Sequence, residues 1–314
     1  MKELVVISGK GGTGKTSIVG SFAALARRVV LADCDVDAAD LHLLLDPQTV
    51  SRQKFSGGKR ARIKSGHCTA CGKCEELCRF DAICFDGPGN GRAERTFRVD
   101  PIACEGCGVC AWFCAEGAIE FAAADNGEWF VSETRCGPMV HARLGAGEEN
   151  SGKLVNIVRT EARRIAQQRG LETVLVDGSP GIGCPVIASI TGAALVLVVT
   201  EPTLSGEHDL ERVIQLTRHF GIRTLVCVNK WDLNPQIADR IEAQAREAGV
   251  EPAGRVRYDR SVTAAQIRGL SVVECQQDGC SADVRELWTR VRRTLEMEGR
   301  SEEHTSELQS HHPI

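Results

Sequence analysis

The stretch "ELVVISGKGGTGKTS", residues 3–17, decides the fold of this 314-residue chain. Its first part, "LVVIS" at 4–8, predicts a buried β-strand. The glycine-rich run "GKGGTGKT" at 9–16 follows and fits the pattern G-x-x-x-x-G-K-[ST], and a helical stretch comes next. A strand, such a loop and a helix together predict a phosphate-binding loop, in which backbone amides surround a β-phosphate at a helix N-terminus.

The loop pattern assigns tasks to most of its side chains. Lys15 is expected to reach the β- and γ-phosphate oxygens, and Thr16 to ligate Mg²⁺. One lysine is enough for this task, so the pattern leaves Lys10 either as a solvated surface residue or with a second role. We expect the nucleotide to contact Gly9, Lys10, Gly11, Gly12, Thr13, Gly14, Lys15, Thr16 and Ser17.

Further strands are expected at 28–33, 172–177, 194–200 and 223–230, where the residues are almost continuously apolar. Helical stretches separate most of them. Strands that alternate with helices in this way indicate βαβ units, and near-continuous apolarity indicates cover on both faces. The sequence therefore predicts an α/β fold with a mostly parallel sheet and helices on both faces.

Two copies of one cysteine pattern interrupt this alternation. "CTACGKCEELCRFDAICF" at 68–85 matches "CEGCGVCAWFCAEGAIEF" at 104–121, and each copy contains C-x-x-C-x-x-C-x-x-x-C. Four thiolates at this spacing suit a [4Fe-4S] cluster. Zinc is the alternative, but its sites use two separated C-x-x-C pairs or histidines, which this stretch lacks. Disulfides are disfavoured because the expected location is cytoplasmic.

This segment resembles the bacterial two-cluster ferredoxins over about 60 residues, although Arg79 and Ala115 stand where a proline usually follows the fourth cysteine. In those proteins the fourth cysteine of each copy ligates the other cluster. The resemblance therefore implies Cys68, Cys71, Cys74 and Cys114 for one cluster, and Cys104, Cys107, Cys110 and Cys78 for the other.

The run "KGGTGKT" resembles the deviant Walker A loop of the MinD/ParA/Mrp class of ATPases, to which the nitrogenase iron protein also belongs. In that class the first lysine, here Lys10, reaches the phosphates of the partner across a nucleotide-sandwich dimer. The resemblance implies ATP and Mg²⁺ as ligands and a homodimer with nucleotide at its interface.

Other segments resemble the switch regions of the same class. In "LADCDVDAADL", Asp33 would lie near Mg²⁺ and Asp35 would position the attacking water. In "VLVDGSPGIGCPV", Asp177 would hold Mg²⁺ through water. The expected catalytic set is Lys10, Lys15, Asp35 and Asp177, whereas Asp33 is expected only at the Mg²⁺ site.

The segment "VNKWDLN" places Asn229 and Lys230 at a strand end, where Asn229 is expected to read the base edge. GTPases also use such a stretch, with an acid such as Asp232 reading guanine. The choice of ATP over GTP therefore rests on the resemblance to the class.

The whole layout resembles the MinD-superfamily ATPases that contain an inserted ferredoxin domain. We expect the ATPase domain at 1–55 and 126–299 and the insert, an α+β domain of bacterial ferredoxin type, at 60–125. The run "RSEEHTSELQS" in 300–314 is the in-frame translation of a common sequencing adapter, and we interpret that tail as an artefact.

Two functions remain open. The first is an ATPase that couples its cycle to electron transfer or to assembly of an iron-containing cofactor, with a protein partner for that chemistry. The second is a positional switch like MinD, with the insert as a binding module. The net charge of −4 and pI near 6.1 argue against nucleic acid as a partner. No 18-residue apolar run predicts a membrane span, and the roles of Cys136 and Cys184 stay open.

Overall fold

A computed structural model describes the backbone of residues 1–145 and 152–310, and side chains as far as residue 297. The chain divides into two compact units. The first unit comprises Met1–Arg52, Trp129–Arg143 and Asn150–Ile314, and the second comprises Gln53–Glu128 and Leu144–Glu149.

The strands and helices are numbered in chain order. The strands are β1 Lys2–Ser8, β2 Val29–Asp33, β3 Gln48–Phe55, β4 Lys59–Ile63, β5 Ile83–Gly87, β6 Thr96–Val99, β7 Ile119–Ala123, β8 Gly127–Thr134, β9 Gly137–Leu144, β10 Thr173–Pro180, β11 Leu195–Thr200, β12 Thr224–Asn229 and β13 Glu251–Val256. The α-helices are α1 Lys15–Leu25, α2 Leu41–Leu45, α3 Lys73–Glu76, α4 Val109–Trp112, α5 Lys153–Arg169, α6 Cys184–Ile190, α7 Leu204–His219, α8 Pro235–Glu247, α9 Arg260–Ile267, α10 Val272–Cys275 and α11 Cys280–Ser310.

One nine-stranded sheet has the order β13-β12-β11-β1-β10-β2-β9-β8-β3. The pairings from β13 through to β9 are all parallel. The prediction of an α/β fold with a mostly parallel sheet is confirmed. The five predicted strands are β1, β2, β10, β11 and β12, which lie together in this sheet.

The sequence did not predict four strands of this sheet: β3, β8, β9 and β13. In β13, "EPAGRV" contains Pro252 and Gly254, which weaken a strand pattern. Most side chains of β3 are exposed, so it lacks an apolar run. These strands form because the sheet offers them hydrogen-bond partners, which the local sequence does not show.

The core of the first unit lies between this sheet and its helices. α11 contributes a buried stripe of Val284, Leu287, Val291 and Leu295. Among the helices that the structure describes, none is both long and apolar enough to cross a membrane. The predicted adapter tail covers the last residues of α11 and continues past the described residues, so its origin stays a prediction.

The second unit is built from two antiparallel hairpins, β4 with β7 and β5 with β6, and the short helices α3 and α4. Its small core contains Cys68, Ile83, Phe97 and Ala118. Four further cysteines pack against that core: Cys74, Cys78, Cys110 and Cys114. Cysteine side chains therefore take up much of the interior of this unit.

Candidate functional site

The loop between β1 and α1 has a backbone conformation that requires glycine. Gly12 and Gly14 have φ angles of 80° and 88°, in the left-handed region that glycine adopts without steric cost. A Cβ on Gly14 would also collide with the side-chain amide of Asn229. Because α1 begins at Lys15, the loop ends at a helix N-terminus, whose free amides and dipole favour anions.

A cavity of about 450 Å³ adjoins this loop, within the range of roughly 300–1,000 Å³ that is usual for small-molecule sites. One wall is the loop itself, from Gly11 to Ser17. The other side is formed after β12 and β13 and by α9. Its lining there includes Asn229, Lys230, Val256, Arg257, Tyr258, Asp259, Val262, Thr263 and Gln266.

Lys15 is buried against acidic side chains. Its Nζ lies 2.5 Å from Asp177 Oδ1 and 3.1 Å from Asp35 Oδ2. Burial opposes the charge of the lysine, but the carboxylates of Asp177 and Asp35 outweigh it and raise the pKa of Lys15. The ammonium group is therefore held in the charged form that phosphate binding needs.

Two buried carboxylates lie side by side on neighbouring strands. Asp33 ends β2 and pairs in register with Asp177 of β10, and both are fully buried. Asp33 Oδ1 accepts a hydrogen bond from the Asp35 amide, but Asp33 Oδ2 and Asp177 Oδ2 have no partner among the described residues. Burial, and next the charge of Asp177, raise the pKa of Asp33 well above its usual range.

These unpartnered oxygens fit a Mg²⁺ site. Mg²⁺ binds oxygen ligands, and it is usually held by one or two carboxylates, waters and substrate phosphates. Thr16, the other expected ligand, lines the cavity. A cation near Asp33 and Asp177 would bind the two buried oxygens that lack a partner among the described residues.

Lys10 is paired within its own chain. Its Nζ lies 2.7 Å from Glu201 Oε1 and donates to Ser205 Oγ at 2.8 Å, and it does not line the cavity. Glu201 follows β11 and also contacts Lys230 Nζ at 3.3 Å. Partial burial opposes ionisation, but the bonds from Lys10 and Lys230 lower the pKa of Glu201. Lys10 can therefore reach another molecule only by leaving this ion pair.

The "NKWD" segment contacts the phosphate-binding loop. Asn229 Nδ2 donates to the Thr13 carbonyl at 2.7 Å, and Lys230 Nζ donates to the Gly12 carbonyl at 2.9 Å. Asp232 is placed differently. Its Oδ1 accepts from the Tyr258 amide at 2.6 Å, and the residue does not line the cavity.

Comparison with known protein families matches residues 4–272 to the CobQ/CobB/MinD/ParA nucleotide binding domain, CbiA. This chain belongs to that family. An uncharacterised protein of Methanocaldococcus jannaschii is 36% identical over 236 residues, which cover 74% of this chain and 79% of that protein.

Solved structures agree on the fold. The MinC:MinD cell division complex of Aquifex aeolicus gives a TM-score of 0.54 at 18% identity, covering 93% of this chain and 96% of that chain. MinD from Pyrococcus horikoshii, complexed with Mg-ADP, gives a TM-score of 0.54 at 14% identity, covering 95% of this chain and 98% of that chain. At these identities the similarity shows the fold alone.

In this CobQ/CobB/MinD/ParA family member, several residues that line the cavity or contact Lys10 were not singled out from the sequence. Glu201 follows a predicted strand in "VVTEPT", so its position at a strand end was a usable signal. Tyr258, Val262 and Gln266 gave no comparable signal. They come to the cavity because the chain turns from β13 into α9 beside the loop, where Gln266 Nε2 donates to Ser17 Oγ at 2.9 Å.

The eight repeat cysteines of the second unit line two cavities. One cavity, of about 160 Å³, is lined by Cys68, Cys71, Cys74 and Cys114 together with Phe113 and Ile63. A smaller one is lined by Cys78, Cys104, Cys107 and Cys110 together with Phe80 and Val109. The fourth cysteine of each copy thus lies beside the first three cysteines of the other copy.

Within each set of four cysteines, the thiols raise one another's pKa values. Burial raises the pKa of Cys74 to about 11, and the nearby Cys68 and Cys71 add to the shift. Burial likewise raises the pKa of Cys110, with Cys104, Cys107 and Cys78 adding to it. No group of three or more His, Cys, Asp or Glu residues in the described part of the chain is arranged to hold a metal ion.

Asp33→Asn tests the buried acidic pair. Because the folded-state pKa of Asp33 is raised, the wild type loses stability as pH rises above the ordinary carboxyl pKa, about 4. The amide removes that charge, and its oxygen still accepts from the Asp35 amide. We expect the Mg²⁺-free variant to gain roughly 1–3 kcal/mol at pH 7, because it no longer titrates and one unit of pKa shift corresponds to about 1.4 kcal/mol, and little near pH 4.

The measurement is thermal unfolding without nucleotide at both pH values, with Mg²⁺-dependent nucleotide hydrolysis assayed in parallel. Hydrolysis should fall while stability rises, since a functional charge is being removed. A variant with a lower unfolding midpoint than the wild type at pH 7 would show that Asp33 is compensated in the folded protein.

Proposed function

We propose that this chain is a dimeric ATPase that carries two [4Fe-4S] clusters and couples ATP binding and hydrolysis to electron transfer or metallocofactor assembly. The observation that carries the proposal is the division of the eight repeat cysteines into two cavities of four, in a chain that also has a phosphate-binding loop. Membership of a nucleotide-binding family supports the ATPase part of the proposal.

The cysteine cavities suit a cluster better than a single ion. A zinc site needs four ligand atoms that converge on one point, with Zn–S distances near 2.3 Å. A four-iron cube binds each thiolate through a different iron, so its ligand sulfurs lie farther apart. Each cavity is lined by three cysteines of one copy and the fourth cysteine of the other copy, which is the number and crossed origin of ligands that a two-cluster ferredoxin uses. When bound, such clusters would accept and donate single electrons.

In the proposed ATPase site, each of the charged residues has a role in binding or hydrolysing the nucleotide. Lys15 would hold the β- and γ-phosphates, with Thr16, Asp33 and Asp177 at the Mg²⁺ side. Asp35 would position the attacking water, and because burial raises its pKa, this carboxylate is a stronger proton acceptor than an exposed one. Lys10 would act on the partner's phosphates, which makes the homodimer part of the site.

The geometry favours ATP over GTP. An acid that selects guanine has to present its carboxylate to the base, but Asp232 is exposed outside the cavity. Its Oδ1 already accepts the Tyr258 amide. Asn229, which lines the cavity, keeps an amide oxygen for an adenine amino group while Nδ2 binds Thr13.

This proposal is tested by hydrolysis of Mg-ATP and Mg-GTP with anaerobically purified wild type and Asp232→Ala. We expect ATP to be preferred, and the ratio to stay unchanged in the variant because Asp232 does not contact the base. A guanine reader would be worth roughly 1.4 kcal/mol or more, a tenfold change in the ratio. Preference for GTP in the wild type, lost in Asp232→Ala, would overturn the assignment.

A further inference from the structure

The two cysteine copies provide an internal comparison of their short helices. α3 and α4 occupy matching positions, 36 residues apart. At the first and last positions α3 exposes Lys73 and Glu76, whereas α4 exposes Val109 and Trp112. The first copy shows that polar residues serve the fold at these positions. The apolar pair in the second copy is therefore not required to hold the cysteines.

Phe80 extends this apolar surface. Phe80 and Val109 both line the cavity of Cys78, Cys104, Cys107 and Cys110. Val109 and Trp112 are three residues apart on one helix and so lie on the same side of it. The exposed fractions are 85% for Trp112, 44% for Phe80 and 38% for Val109. We call these three residues the tryptophan patch; exposed apolar surfaces of this kind mark interaction sites.

Acidic residues outnumber basic ones in the segments that carry the tryptophan patch. Segments 73–81 and 104–117 contain five exposed acids and two exposed bases, Lys73 and Arg79, a formal charge of −3 from five negative and two positive. The acids are Glu75, Glu76, Asp81, Glu105 and Glu116, and none forms an ion pair among the residues that the structure describes. Glu105 lines the same cavity as Phe80 and Val109. A partner surface complementary to the tryptophan patch would therefore be basic and contain an apolar recess.

We infer that the tryptophan patch is the docking surface for a basic redox protein, an inference that rests on the proposed iron-sulfur function. Trp112 would fill an apolar recess of the partner, as buried tryptophans do at interface hot spots. The excess of acidic residues would steer the encounter. One electron would leave the reduced cluster of the Cys78 cavity and reduce the partner's centre by one electron.

The experiment compares wild type with Val109→Lys/Trp112→Glu, which gives α4 the residues that α3 holds at the same positions. Anaerobic protein, reduced chemically, is mixed with ferricytochrome c as a basic redox protein and with plastocyanin as an acidic one. Stopped-flow absorbance follows the transfer of one electron at low and high salt. Val50→Lys, at an exposed valine of β3, is the matched control.

With wild type we expect faster transfer to cytochrome c than to plastocyanin at low salt, and a rate to cytochrome c that falls as salt increases. The double variant should transfer to cytochrome c about tenfold more slowly, the effect of losing one hot-spot residue, while Val50→Lys stays at the wild-type rate. Trp112→Ala should show most of the same loss.

Iron content and visible spectra, measured before the kinetics, separate the possible failures. A wild type without clusters removes the proposed function and the docking inference with it. If all proteins contain equal iron, the double variant and Trp112→Ala both transferring at the wild-type rate overturn the docking surface alone. Faster transfer to plastocyanin at low salt overturns it as well.

Discussion

Lys10→Ala is expected to keep nucleotide binding but to lose ATP hydrolysis by roughly 10³-fold or more, the usual contribution of a cation supplied across an interface. Binding survives because Lys15 and the loop amides remain. In the single chain Lys10 binds Glu201, Ser205 and Thr203 and does not line the cavity. Hydrolysis is measured at matched protein concentration, with dimerisation followed by light scattering with ATP and with ADP.

Lys15→Ala separates the two lysines. It should weaken nucleotide binding and hydrolysis together, because Lys15 lines the cavity. Ser205→Ala is the control for the contacts of Lys10, since Ser205 Oγ accepts a hydrogen bond from Lys10 Nζ but Ser205 does not line the cavity. It should therefore retain ATP-dependent dimerisation. Equal hydrolysis by wild type and Lys10→Ala would return Lys10 to the role of a solvated surface lysine.

Protein purified without oxygen should be brown and contain about eight iron and eight acid-labile sulfide per chain, from two four-iron clusters. The structure predicts which cysteines act together. Cys71→Ala/Cys114→Ala removes two residues of one cavity and should leave about four iron. Cys71→Ala/Cys78→Ala removes one residue from each cavity and should leave almost none.

Cys84→Ala is the matched control, because Cys84 lies in the second unit outside both cavities and should retain all the iron. If each copy instead ligated its own cluster, the two double variants would exchange their results. Colourless protein with about two zinc per chain would rule out iron-sulfur clusters in both sites.

Much of the nucleotide site could be predicted from the sequence because it follows strand ends. Asp33 and Asn229 each end an apolar strand and Asp177 directly follows the apolar run of β10, and parallel strands bring their carboxyl ends to one edge of the sheet. Sequence alone could not show that Asp33 and Asp177 leave two buried oxygens without partners. That property depends on the register of β2 against β10 and on which carboxylate oxygens Lys15 contacts.

The remaining features depend on contacts between distant segments. Glu201 is 191 positions from Lys10 in the sequence, and nothing local to either residue predicts their ion pair. Strands β3 and β8 join the main sheet although nearly all of their side chains are exposed or only partly buried. The resemblance to two-cluster ferredoxins implied crossed sets, and the structure groups the same residues around two cavities, while ligation itself stays a prediction.

The central claim is that the ATP cycle and the clusters share free energy, and it is tested by anaerobic potentiometry with ADP and with a non-hydrolysable ATP analogue. If they are coupled by the usual 1–3 kcal/mol, the cluster potential should shift by roughly 40–130 mV between the two nucleotides. Nucleotide affinity should then differ between oxidised and reduced protein by the same free energy. Potentials that coincide within error, together with unchanged affinities, would contradict the claim and leave two independent modules on one chain.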